Sequence, residues 1–346
     1  MKELVVYQVI YLKVQTMWNK IDELKSSSIS IEVYKSEDSI IEEEYNLAII
    51  FNSFDSRSLE YAKLFEKKVF KNAIIISFQS DKKQKMDNLI QHKKNMGKLC
   101  ENDPIIISDI DIFDYQNNLS KILVQIPIEA LQINSKWFMD ISGVPIIYTI
   151  SLLKQIKRIF PSPILHCTNF SGEYVSNAPS HNQFSEGYSR DIYIPNYAGN
   201  PDFSKPWKYV FLLGWEGTRS LSVLKKCEPD SIEIIITKPG YKSGYEVEVL
   251  ENNKSFLLDC GVQESNYIYA DAGNPLQIIR EIETIYLKSK DVFNLCIVPL
   301  GVKPHGLGAG LFGCLNNDVS IMYQIPKRYK LHEVKRGQYI WLYKIN

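Results

Sequence analysis

Two stretches decide how this chain is read: Phe54-Asp55-Ser56-Arg57-Ser58-Leu59 and Trp215-Glu216-Gly217-Thr218-Arg219-Ser220-Leu221. Each follows a continuous apolar run, residues 47–51 in the first case and 209–213 in the second. Each has the order strand, aromatic–acid pair, then Arg-Ser-Leu opening an amphipathic segment. Further along, Asp140-Ile141-Ser142-Gly143-Val144-Pro145 is answered by Pro299-Leu300-Gly301-Val302-Lys303-Pro304. The interval from Arg57 to Gly143 nearly equals that from Arg219 to Gly301. Agreement at several landmarks predicts an internal duplication: two similar α/β lobes, each with a loop–helix edge suited to a ligand.

Working outward, the first copy predicts strands at 47–51, 73–78, 104–108, 137–141 and 164–168, with helices at 59–70, 81–100, 119–126 and 144–159. The second predicts strands at 209–213, 232–237, 267–270, 295–300 and 319–323, with helices at 219–227, 245–258, 275–288 and 304–315. Strands that are apolar throughout and alternate with helices belong to a parallel sheet covered on both faces. The fold class is therefore α/β, with two Rossmann-like lobes of mostly parallel sheet. The expected domains are residues 1–168, of which 1–44 form an extension with strands at 4–14 and 29–34, and residues 207–346. Between them, residues 169–206 are rich in Ser, Asn, Gly, Pro and Tyr and read as a linker or flap. The stretch 339–345 alternates enough for an edge strand. Before it cluster Lys327, Arg328, Lys330, Lys335 and Arg336, either a solvated basic loop or a contributor to an anion site.

A chain of 346 residues suits two domains, and 45% hydrophobic with 23% charged residues is ordinary for a globular protein. Forty basic and forty acidic side chains balance to zero net charge, which argues against a general nucleic-acid coat built on excess Lys and Arg and leaves room for a local basic patch. No signal-peptide layout or membrane-spanning run is present, so a cytoplasmic location without membrane partners is expected. The cysteines form no C-x-x-C pair and read as buried, reduced thiols. Scattered histidines give no metal spacing, and Asp109, Asp111 and Asp114 read as a turn after a strand rather than a metal site.

Ligands of open α/β sheets bind beyond the carboxyl ends of the strands, where helix N-termini favour phosphate. The candidate ligand-binding residues are Gly214, Glu216, Arg219, Gly301, Lys303 and His305. Arg219 and Lys303 would neutralise an anion, and the glycines would admit it. The alternatives are that the glycines serve helix packing alone and that Glu216 and Arg219 form a structural ion pair. Glu216 and His305 are the candidate catalytic residues for acid–base work. Lobe one keeps Asp55, Arg57, Ser142 and Gly143 but has Val144-Pro145-Ile146 in place of Lys303-Pro304-His305. Neither a P-loop, a G-x-G-x-x-G fingerprint nor a G-x-S-x-G elbow occurs, which weakens kinase, dehydrogenase and hydrolase readings.

Leu300-Gly301-Val302-Lys303-Pro304, entering a small-residue helix after a late strand, resembles the Gly-Thr-Lys turn of CARF-type domains, with Val302 in place of the Thr. The resemblance spans residues 207–326, and the loop 214–219 falls where such domains also meet ligand. It implies a Rossmann-like sensor of cyclic oligoadenylate messengers, at work in prokaryotic antiviral defence. Such sensors pair two lobes across a two-fold axis, a pairing that the two lobes here would mimic within one chain. The expectation is thus a bacterial sensor or complex subunit binding a nucleotide-like or other phosphate-bearing ligand, with no cofactor identified. An enzyme cleaving or transferring a nucleotide group in the same cleft, and a ligand-free scaffold docking a partner protein through 169–207, are the rival readings.

Overall fold

The computed structural model describes residues 18–25, 29–79, 83–159, 161–174, 185–330 and 334–346. The strand expected at 4–14 lies outside them. The chain begins with an antiparallel pair, β1 (Asn19–Lys25) and β2 (Ser30–Ser36). The first copy follows: β3 (Tyr45–Asn52), a 3-10 helix (Ser56–Leu64), β4 (Phe70–Phe78), α1 (Lys83–Leu99), β5 (Ile105–Ile110), α2 (Tyr115–Leu123), β6 (Lys136–Asp140), α3 (Ile146–Arg158), β7 (Ile164–Tyr174) and β8 (Ser185–Tyr193). The second copy is β9 (Trp207–Leu213), α4 (Gly217–Cys227), β10 (Ser231–Thr237), α5 (Tyr245–Asn252), α6 (Lys254–Cys260), β11 (Ile268–Ala270), α7 (Pro275–Ser289), β12 (Asn294–Pro299), α8 (Lys303–Leu315), β13 (Ser320–Tyr329) and β14 (Val334–Ile345).

The two sheets have the same plan. Parallel strands run in the order β7-β6-β3-β4-β5 in one and β13-β12-β9-β10-β11 in the other. Numbered within each copy this is the doubly wound order 3-2-1-4-5, with its switch point between the first and fourth strands. Each sheet then gains an antiparallel strand from the opposite copy. β8, which follows β7, pairs with β13; β14, which follows β13, pairs with β7. The copies have exchanged their last strands. β14 also pairs with β2, so the first sheet has eight strands and the second six.

This exchange corrects two expectations. Residues 339–345 belong to a longer strand that lies inside the first sheet rather than at an edge. Ile340 and Leu342 enter the outer core, and Trp341, Tyr343 and Ile345 the inner one, so both faces are covered. Two described stretches of 169–206 belong to sheets rather than to a linker. β7 continues to Tyr174, and β8 is an exchanged strand whose mostly exposed face hid its alternation. Beyond β8, Ile194 and Tyr197 are buried, and the Tyr197 hydroxyl donates to the carbonyls of Ile150 (3.2 Å) and Gly310 (3.0 Å).

The inner core is shared by both sheets. At its centre α8 packs against α3 and α7. The glycines of α8 make this approach possible: a Cβ at Gly306 would stand 2.0 Å from Ile146, and one at Gly308 2.5 Å from the Pro275 carbonyl. Helix packing, the structural alternative for these glycines, is what the structure contains. Two other helices differ from expectation. The segment 59–70 is a 3-10 helix ending at Leu64, because Phe65 and Val69 turn into the outer core while Val69 exchanges backbone hydrogen bonds with Tyr45 and Leu99. The helix expected at 245–258 is broken at Asn253, whose buried amide donates to the Gly214 and Val249 carbonyls (both 2.8 Å).

Candidate functional site

Both switch points open onto one cavity of about 280 Å³, near the low end for small-molecule sites (~300–1,000 Å³). The loops after β3 and β6 form one wall and the loops after β9 and β12 the other. Unpaired N–H groups at the starts of the flanking helices make this a favourable edge for negative charge.

Each loop after the first strand of a copy is held by an acid–arginine pair. In lobe one, Asp55 caps the 3-10 helix by accepting from the Arg57 N–H (3.0 Å). Its carboxylate takes the Arg57 guanidinium at 2.6–3.1 Å, and Arg57 Nη1 donates to the Phe170 carbonyl on β7 at 3.1 Å. In lobe two, Arg219 donates to Glu216 (3.2 Å) and to the Gln324 carbonyl on β13, and stacks over Tyr323. Glu216 does not cap its helix. Its other oxygen accepts from the Ser185 N–H (2.7 Å) and hydroxyl (2.6 Å), which ties down the start of the exchanged strand β8.

The predicted residues Gly214, Glu216, Arg219, Gly301 and Lys303 all line this cavity. His305 does not. It is wholly buried, its Nε2 lies 3.0 Å from the Asp271 carbonyl, and burial pushes its pKa down to about 4. The acid–base pair expected of Glu216 and His305 is therefore not assembled: one carboxylate is engaged by Ser185 and Arg219, and the imidazole faces away from the cavity. Gly214 serves backbone crossing, since a Cβ there would stand 1.8 Å from the Leu300 carbonyl oxygen.

Lys303 stands differently. It is the first residue of α8, partly buried, with no hydrogen bond or ion pair among the described residues. Burial, reinforced by the nearby Arg57 guanidinium, lowers its pKa to about 8 against the opposing pull of Asp55 and Asp140. These neighbours all belong to lobe one. Asp140 lies beneath the loop after β6, accepting from the Ser142 hydroxyl (2.7 Å) and the Thr168 hydroxyl (3.2 Å); burial raises its pKa to about 7.

Sequence reasoning missed Lys85, which reaches the cavity from α1 with its pKa lowered to about 8 by burial. Its Nζ lies over the Phe78 ring and 3.5 Å from the Gln79 carbonyl. Nothing in the polar pattern of 81–100 distinguishes it from solvated lysines. Of the basic cluster at 327–336, Lys330 lines the cavity, whereas Arg336 is spent on Glu60 and the Glu37 carbonyl. Phe78, Trp215, Tyr241 and Tyr245 supply aromatic wall, with the last three also engaged in contacts within the protein. At the wall, Asn52 Oδ1 and Thr237 Oγ1 are buried without a hydrogen-bond partner among the described residues.

Of the acidic trio, Asp111 turns the chain by accepting from the Phe113 N–H (2.9 Å), and no group of three or more metal-type ligands occurs among the described residues. All six cysteines are free. Among the described residues no helix is long and apolar enough to cross a membrane. Neither a protein-family model nor a curated protein matches this sequence.

Proposed function

We propose that the protein binds a small anionic ligand, nucleotide-like or otherwise phosphate-bearing, in the cavity between its lobes, and acts as a sensor or complex subunit. One observation carries this reading. The cavity wall holds Arg57, Lys85, Arg219, Lys303 and Lys330 against two carboxylates, Asp55 and Glu216, and each carboxylate is taken by the arginine of its own lobe. Three lysines are left without an ion pair among the described residues; Lys330 is exposed, but Lys85 and Lys303 stand in a partly apolar enclosure where an unneutralised cation is costly. A polyanion would offset that cost and would meet the helix N-termini as well. Aromatic side chains along the same wall suit a flat base. The resemblance of 207–326 to CARF-type domains, and the facing of the two copies across one cavity, favour the same ligand class and a role in defence.

Thermal melting with mononucleotides, dinucleotides and cyclic oligonucleotides tests this. A ligand at about 100 times its Kd adds roughly 2.7 kcal/mol of stability. Affinity should fall as pH rises through about 8, where Lys303 and Lys85 lose their protons, because the anion favours their charged forms. A flat response to the whole panel would overturn the reading.

A further inference from the structure

Lys303 combines features that a mere counter-charge does not require. It projects from the first position of α8 into the cavity, with no hydrogen bond or ion pair among the described residues. The positive end of the helix dipole and the Arg57 guanidinium both oppose an ammonium there. Lys85, the other lysine of comparable basicity, is already against a carbonyl and a ring face. A desolvated lysine beside a second cation is the setting in which an amine becomes a nucleophile at neutral pH.

Resting on the anion-cavity reading above, we propose that Lys303 is a reactive amine that condenses with the aldehyde or keto group of a small phosphate- or carboxylate-bearing carbonyl compound. The Nζ lone pair attacks the carbonyl carbon and the carbonyl electron pair moves to oxygen. The resulting carbinolamine then expels that oxygen as water, carrying the two amine hydrogens, and a C=N bond remains. One water is released and nothing is oxidised or reduced. On taking up one proton from solvent the imine becomes positive, with Asp55 on the cavity wall and Asp140 buried behind it, Arg57 beside it, and Lys85, Lys330, Arg219 and Glu216 around the remaining wall. Both acids are held in place, Asp55 by Arg57 and Asp140 by Ser142 and Thr168. The ligand's anionic group would then fall to Lys85 and Lys330.

The test compares pyridoxal 5′-phosphate with pyridoxine 5′-phosphate, which carries the same phosphate and an alcohol in place of the aldehyde. Both should raise the melting temperature. With the aldehyde alone, borohydride should trap one adduct per chain, mapped by peptide mass spectrometry to Lys303. Its formation should be half-maximal near pH 8, where Lys303 titrates, rather than above pH 10 as for an ordinary lysine. Lys303→Arg, checked for an unchanged melting temperature, should lose the adduct while still binding the alcohol, and Lys67→Arg, on the exposed surface away from the cavity, should keep it. If both compounds bind but the label spreads over many lysines or persists in Lys303→Arg, the imine is overturned and the cavity reading stands. If neither binds, the imine is overturned, and the nucleotide panel alone decides the cavity reading.

Discussion

The two mouths of the cavity are built alike and have diverged in what they leave unsatisfied. In both, an arginine after the first strand holds an acid at the start of the next helical segment and donates to a carbonyl on the fifth strand: Phe170 for Arg57, Gln324 for Arg219. The acid then differs. Aspartate is short enough to cap its own helix, as Asp55 does. Glutamate is one methylene longer and reaches instead to Ser185 on the exchanged strand. At the end of the fourth strand lobe one buries Asp140 where lobe two has Pro299, and in the loop that follows lobe one has Val144 where lobe two presents Lys303. Common function of the repeated residues is therefore structural: they fix the loops. Whatever chemistry the cavity has falls to residues that are not repeated.

The comparison breaks most readily at the arginines. Removing one partner of a buried ion pair strands the other charge, at a cost of about 3–5 kcal/mol. Arg219→Ala should therefore unfold in markedly less urea than the wild type, and Arg57→Ala should follow closely, since both pairs are nearly buried. Equality of either variant with the wild type in urea melts would show that these pairs do not hold the loops. The sequence left Arg219 open between a ligand contact and a structural ion pair with Glu216; the ion pair is formed, so its loss should weaken binding together with the fold.

A smaller effect is expected at the crossing of the two loops of lobe two. Gly214→Ala places a methyl against the Leu300 carbonyl, which is backbone and cannot swing aside. Overpacking of this kind costs about 1–3 kcal/mol. Gly301→Ala, with its nearest neighbour at 3.1 Å, should cost less. The reverse ranking in urea titrations would mean that the loop after β12 is the more constrained of the two.

Asp140 sharpens the comparison through pH. Burial raises its pKa from the usual carboxylate range to about 7. Below about pH 4 the group is neutral in both folded and unfolded chains. As pH rises toward 7 the unfolded chain ionises and the folded chain resists, so stability falls across that window. Asp140→Asn should flatten this part of the stability profile, and lobe two, with Pro299 at the matching place, contributes no such slope. An unchanged slope between pH 4 and 7 would place the titrating group elsewhere.

At Lys303 no loss of stability is expected: Gln breaks no ion pair and removes a desolvated cation, so the variant should be at least as stable as the wild type. The same substitution should nevertheless weaken anion binding severalfold or more, which isothermal titration would measure. A stability loss as large as that of Arg219→Ala would make Lys303 part of the frame.

Much of the frame was legible in the sequence. The runs at 47–51 and 209–213 are apolar at every position because both faces of a parallel strand are covered, and the Arg-Ser-Leu repeat marked the same turn twice. The site was legible in half: the lobe-two loops were found, but Lys85 sits in a mostly polar helix among several other lysines, and His305 looked available because a sequence does not show which way a helix turns its faces.

By itself, then, the sequence determined the local elements, their alternation and their duplication, since periodicity and turn chemistry act over a few residues. Only the tertiary structure decided that each copy gives its last strand to the other, that the α8 glycines pack against α3 and α7, and that both switch points face one cavity. The strand exchange and the shared cavity depend on pairings between residues more than a hundred positions apart, such as Met322 with Tyr193 and Trp341 with Asn169. Charge balance followed the same rule. Which cations are spent and which are left over is set by what each side chain meets across the fold, and that left Lys303 facing the opposite lobe without a partner among the described residues.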